Sequence, residues 1–175
     1  MTPQSITLRT ATAADIAGID TLLSRAYPRL LKADYPPSLL VMAIPRISRA
    51  QPGLITSGTY HVATDDDGRI LAAGGWTRAA PGQGRSTPDT GHIRHVVTDD
   101  RLTRQGIGRA LLTRVIDEAR ATGMARLDCL STLTAVPFYR ALGFAGDTPV
   151  TIPLGPGIDF PAVALTLSLH APITR

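Results

Sequence analysis

Ile107, Leu111, Val115 and Ala119 recur every four residues, and Leu112 and Ile116 widen the same stripe. Arg109, Thr113, Arg114, Asp117, Glu118 and Arg120 fill most of the other positions, so the pattern predicts an amphipathic helix ending near Thr122-Gly123. A second stripe runs through Ile16, Ile19, Leu22, Leu23 and Ala26. Thr12 is its expected N-cap, with Asp15 three residues on, and Pro28 is expected to stop it. A third helical stretch opens at Pro36-Pro37 and carries Leu39, Leu40, Met42 and Ala43 before Pro45 kinks or ends it. A short helix from Thr134 to Leu142 ends at Gly143.

Strand patterning fills the gaps between these helices. Ser5 to Arg9 opens the chain with Ile6 and Leu8 alternating. Thr59 to Thr64 and Arg69 to Trp76 form a hairpin around the acidic turn Asp65-Asp66-Asp67-Gly68. Gly74-Gly75 near its end predicts a bulge or a close backbone approach. His92 to Thr98, Ala125 to Leu130, Thr148 to Leu154 and Ala162 to Leu169 are further strands, the last two separated by the turn GPGIDFP. Thr77 to Thr90, rich in Pro, Gly and polar residues, reads as a long connection, with a lid as the alternative. Strands interleaved with helices imply an α/β fold, a mixed sheet flanked by helices, in one domain over residues 1–175.

Composition narrows the function classes. With 43% hydrophobic and 18% charged residues the chain suits a globular fold, and no apolar run reaches the ~18 residues of a membrane helix. MTPQSITLRT lacks a charged-then-apolar leader pattern, so a cytoplasmic protein is expected. The lone Cys129 reads as a buried strand residue, since no base is placed beside it by sequence. The net charge is +4, carried by seventeen Arg and by Lys32. These cations are dispersed, and only eight aromatic residues accompany them, which argues against a nucleic-acid partner. No metal site is expected. The three aspartates lack the downstream Glu of a calcium loop, and no His or Cys has ligand spacing.

The candidate chemistry begins at Gly106 and Gly108. Two glycines let the backbone turn sharply and let a ligand approach bare peptide. The N–H groups of Arg104, Gln105, Gly106, Ile107, Gly108 and Arg109 precede the first intrahelical hydrogen bonds, where the helix dipole adds positive potential. That is an anion site suited to phosphate or pyrophosphate. It is not a Walker A loop, because no Gly-Lys-Ser/Thr follows, and it lacks the third glycine of a dinucleotide fingerprint.

HIRHVVT, the R-Q-G-I-G turn, the helix, ARLDCL and PFYRALGF follow one another in an order that resembles the GNAT N-acetyltransferase superfamily, most strongly over Ile93 to Phe144. The first position of the family's Gln/Arg-x-x-Gly-x-Gly/Ala pattern falls on Thr103, with Arg104 and Gln105 beside it. The resemblance implies a GNAT-like acyl-CoA N-acyltransferase fold with a splayed central sheet. It implies an N-acetyltransferase that moves an acetyl group from acetyl-CoA, a co-substrate, to a primary amine by direct attack, without a metal. Val96, Val97 and Thr98 would bind the pantetheine arm as an added strand, and one of their N–H groups would polarise the thioester carbonyl. Tyr139 would be the general acid. His92 is the first candidate base, His95 the second and a water relay the third, with Thr98 and Asp99 weaker. Alternating side chains would place His92 and His95 on opposite faces. The helices between Ala14 and Ala50 would wall the acceptor cleft. The acceptor is a small-molecule or protein amine, and a homodimer stays open. The rival readings are an acyl-CoA-binding regulator without turnover and, behind it, a basic nucleic-acid-binding module.

Overall fold

The computed structural model describes residues 5–82 and 84–170. Seven strands form one sheet: β1 Thr7–Thr10, β2 Tyr60–Thr64, β3 Ile70–Thr77, β4 Thr90–Thr98, β5 Arg126–Thr132, β6 Ala145–Gly155 and β7 Ile158–Ser168. Their order is β1-β2-β3-β4-β5-β7-β6, and only β4 and β5 run parallel. Helices α1 Ile16–Leu31, α2 Pro37–Ile47 and α3 Pro52–Ile55 precede the hairpin of β2 and β3, α4 Ile107–Ala121 links β4 to β5, and α5 Val136–Ala141 follows β5. The mixed α/β sheet read from the sequence is the observed fold.

Two apolar layers sandwich this sheet. Leu111, Leu112, Val115 and Ala119 of α4 pack with Trp76, Ile93, Leu127 and Tyr139 on one face. Ile19, Leu22, Leu23 and Ala26 of α1 pack with Tyr60, Val62, Val97 and Phe160 on the other. The α4 stripe predicted from its four-residue spacing is the buried stripe.

Pro28 is where local reading and structure part. Pro28 lies inside α1, which continues to Leu31, and Pro45 lies inside α2, which continues to Ile47. A proline ring removes one helical hydrogen bond, but Tyr27 and Leu31 are buried on either side of Pro28, and their packing holds the helix together across it. Thr12 caps a 3-10 turn, Ala13–Asp15, that leads into α1, whose own N-cap is Asp15: the Thr12 N–H donates to the Asp15 carboxylate (2.8 Å), which Arg9 also grips at 2.7 and 2.8 Å. The closing strands are longer than expected. β7 starts at Ile158, so part of GPGIDFP is ladder and only the Gly155–Ile158 connection turns. Part of the Thr77–Thr90 connection is itself paired, through Ala79 with Ser86.

The feature that positions the site is a fault in β4. Its ladder with β3 slips between Ala73 and Gly75, opposite His95 and Val96, and His95 has φ +49°. Ile93 and Val97, four residues apart, would share a face of a regular strand. They lie instead in opposite apolar layers, the mark of one extra residue. Gly74 and Gly75 make the bulge possible: a Cβ on Gly74 would stand 2.8 Å from the Val96 side chain, and one on Gly75 would run into the backbone of Thr59 and Tyr60. The other edge of β4 opens as well. It pairs with β5 only through Thr90, Gly91 and His92, and from Ile93 onward the two strands part.

Candidate active site

The gap between β4 and β5 opens into a cavity of about 1350 Å³. Its walls include His95, Val96, Val97 and Thr98 of β4, Cys129 and Leu130 of β5, Tyr139 of α5, and the turn before α4. The open edge has a definite register. Asp99 N–H donates to the Leu71 carbonyl at 2.8 Å, so by alternation the peptide groups of Val97 also face β3. Those of Thr98 therefore face the gap, and Val96, at the bulge, lines the cavity with its carbonyl held by the Tyr27 hydroxyl. Val97 contributes its buried side chain rather than an open backbone edge.

At the turn, Arg104 and Gly106 take left-handed conformations, φ +62° and +82°. Ala110 N–H to Gly106 C=O (2.9 Å) closes the first turn of α4, and the N–H groups of Ile107, Gly108 and Arg109 lie ahead of it. Alternating handedness just before a helix makes a concave run of backbone donors, fitted to an anion. Arg104, Gly106, Ile107, Gly108 and Arg109 line the cavity, whereas Gln105 is exposed and off its wall. The glycines serve different ends. Gly106 supplies the positive φ, and a Cβ there would meet nothing within 4 Å. Gly108 supplies closeness, since a Cβ would stand 2.8 Å from Thr98 Oγ1 and 3.3 Å from Phe138. It lets α4 rest against β4 and α5.

Asp99, which sequence reading held only as a weak base candidate, anchors this turn. Its carboxylate is 1% exposed and ion-paired to Arg25 of α1 (2.6 Å) and to Arg101 (3.0 Å). It also accepts the Arg101 N–H at 3.0 Å. Burial alone would raise its pKa, but these hydrogen bonds and charges outweigh it and hold the carboxyl at about 2. With the folded value depressed, the unfolded chain binds more protons on acidification. The stabilisation is therefore complete above the ordinary carboxylate range and disappears as pH falls through about 2. Asp99→Asn should cost about 3 kcal/mol, the scale for losing one partner of a buried pair, and should weaken binding at the turn. Urea unfolding and calorimetric titration with coenzyme A check the two effects.

Tyr139 is buried, with its ring edge-on to Phe138 (5.2 Å) and Phe144 (5.4 Å) between centroids. Burial first, then the Cys129 thiol and the phenols of Tyr27 and Tyr60, push its pKa well above the ordinary tyrosine value. The phenol is therefore protonated throughout the working pH range. Cys129 is itself buried, which pushes its thiol up to about 12 and leaves it without nucleophilic character.

The two histidines do not sit on opposite faces as alternation predicts. The bulge supplies the physical reason: its extra residue reverses the parity, so both lie on the α1/α2 side. His92 stands in register with Asp128 and Thr77, away from the cavity wall, and its Nε2 is buried with no hydrogen-bond partner among the described residues. His95 lies on the wall. Its Nε2 is 2.8 Å from the Ile47 carbonyl, and since a carbonyl only accepts, Nε2 carries the hydrogen and neutral Nδ1 is left as a base. Burial is the main reason its pKa is lowered; Arg94 lowers it further, and the bond to Ile47 raises it. Two tyrosines fix the bulge. Tyr60 donates to the His95 carbonyl (2.7 Å) and Tyr27 to the Val96 carbonyl (3.2 Å). Neither carries a sequence signal beyond its place in an apolar stripe.

Residues 21–144 match the model of the acetyltransferase (GNAT) family. The chain belongs to that family. The resemblance drawn from the glycine turn and PFYRALGF is thus borne out. A curated relative, glucosamine 6-phosphate N-acetyltransferase of Trypanosoma brucei brucei, is 30% identical over 96 residues, 55% of this chain. The match spans 63% of that relative's length. Among solved structures, a GCN5-related N-acetyltransferase from Rhodopseudomonas palustris superposes with a TM-score of 0.74 at 18% identity, over 96% of this chain and 98% of the other. YncA of Salmonella typhimurium, solved with its cofactor acetyl-CoA, gives 0.67 at 18% identity over 98% of each chain. Both share the fold described above. No helix among the described residues is long and apolar enough to cross a membrane.

Proposed function

We propose that this GNAT member is an N-acetyltransferase that moves the acetyl group of acetyl-CoA to a primary amine by direct attack. The observation that carries the reading is continuity. One cavity joins the donor-rich turn before α4, the open β4 edge, the Tyr139 phenol and His95. Acetyl-CoA supplies an activated thioester, and the residues fit it in kind. The N–H groups from Arg104 to Arg109 suit a diphosphate, with Arg104 and Arg109 adding charge. Thr98 presents its peptide groups to an extended amide-bearing arm, and the Val96 N–H can stabilise negative charge on a carbonyl oxygen. Tyr139 holds a proton for the departing sulfur, and His95 Nδ1 takes one from the amine. His95 stands ahead of His92 because it alone of the two reaches the wall. The domain is read as 1–175, one sheet and its helices.

The trypanosomal relative acts by its name on an amino-sugar phosphate, and for this chain we propose an acceptor at the level of a primary amine. The test is calorimetric titration with acetyl-CoA, followed by thiol release with a pool of amines. Saturable binding and amine-dependent release are expected. Binding without release would leave an acyl-CoA-binding regulator, and no binding would overturn the reading.

A further inference from the structure

Among the described residues, every charged residue lining the cavity is an arginine: Arg46, Arg94, Arg104 and Arg109. Arg104 and Arg109 flank the anion turn. Arg94 does not. It sits on β4 next to His95, between the bulge and the point where β4 leaves β5. Its hydrogen bond runs from Nη1 to the neutral Thr77 Oγ1 at 3.0 Å, and it pairs with no carboxylate among the described residues. Arg46 likewise reaches only a neutral group, the Leu154 carbonyl at 3.0 Å.

A half-buried guanidinium without a counter-ion is costly, and most of its five donors remain for a ligand. Burial lowers the pKa of Arg94, which is the same cost seen from the proton's side. A largely apolar cavity whose charges, among the described residues, are all cationic also repels a simple protonated amine. An acceptor that brings its own negative charge is drawn in, and the arginine's field then helps its amine lose a proton.

We propose that Arg94 is a specificity-determining residue that binds an anionic group of the acceptor, so that the substrate is a small primary amine carrying a carboxylate or a phosphate. This rests on the transferase reading above. Arg94 and His95 are chain neighbours on one side of the sheet, which places the anion close to the amine and favours a compact acceptor.

Matched probes test it: β-alanine against propylamine, and O-phosphoethanolamine against ethanolamine, each with acetyl-CoA and read by thiol release. The wild type should prefer at least one anionic member to its neutral twin, and which pair responds separates carboxylate from phosphate. Arg94→Met should lower that preference by about tenfold to a hundredfold, the scale of a charged hydrogen-bonded contact, and Arg94→Lys should keep part of it. The inference is overturned if neither anionic member outpaces its twin in the wild type, or if the preference is unmoved in Arg94→Met. Turnover of the neutral amines alone would leave acetyl transfer standing and remove only the anion. Failure to bind acetyl-CoA would remove both. Should Arg94→Met not fold, the wild-type comparison and Arg94→Lys still decide.

Discussion

Tyr139→Phe is expected to lower kcat by about 10²–10⁴, the range for a lost general acid, while leaving acetyl-CoA affinity unchanged. Removing one oxygen keeps the ring seated between Phe138 and Phe144, so the thermal unfolding midpoint should stay close to that of the wild type. Burial holds the phenol protonated far above neutral pH, so it can give a hydrogen bond or a proton to a thiolate without first carrying charge. The neighbouring Cys129 is the competing donor, and its thiol is a weaker one. Cys129→Ala therefore serves as the control and should keep most of the rate. Wild-type kcat in Tyr139→Phe, with loss in Cys129→Ala, would transfer the role to the thiol.

The parts of this site that were legible in the sequence are those written in local chemistry. The α4 stripe is a 3.6-residue pattern, the turn needs a glycine at positive φ, and the hairpin around Asp67-Gly68 follows turn preferences. Each depends on residues a few positions apart. The bulge at His95 does not. It arises because Gly74 and Gly75 of β3 leave room for Val96 and for the backbone of Tyr60, and because the Tyr60 hydroxyl reaches the His95 carbonyl. No window on β4 contains that information, so the residues of β4 alone predict an alternation that the strand breaks. Pro28 fails for a related reason: the local penalty is real, but the burial of Tyr27 and Leu31 against distant residues outweighs it. Arg94 carries no signal in the sequence, because an arginine within a strand is locally indistinguishable from an ordinary surface cation. Asp99 reads in sequence only as a weak candidate base, whereas Arg25, far away in the chain, turns it into the clamp for the turn.

His95→Gln is expected to lower kcat/KM by about a hundredfold, the lower end for a general base, and to abolish the acid limb of its pH profile. Glutamine can still donate to the Ile47 carbonyl, so the bulge is kept while the basic nitrogen is lost. In the wild type, burial above all, aided by Arg94, holds the imidazole pKa below the ordinary value of 6.5. The acid limb should therefore inflect below that value, leaving His95 neutral and ready at pH 7. The same shift acts on folding. A folded value below the unfolded one means that the unfolded chain takes up more protons, so the wild type should lose stability as pH falls below 6.5, and His95→Gln should lose less. Rate profiles and urea midpoints across that window measure the two consequences separately. If the acid limb persists in His95→Gln and disappears in His92→Ala, the base lies at the end of β4 that pairs with β5 instead, and if it persists in both, a water relay carries the proton.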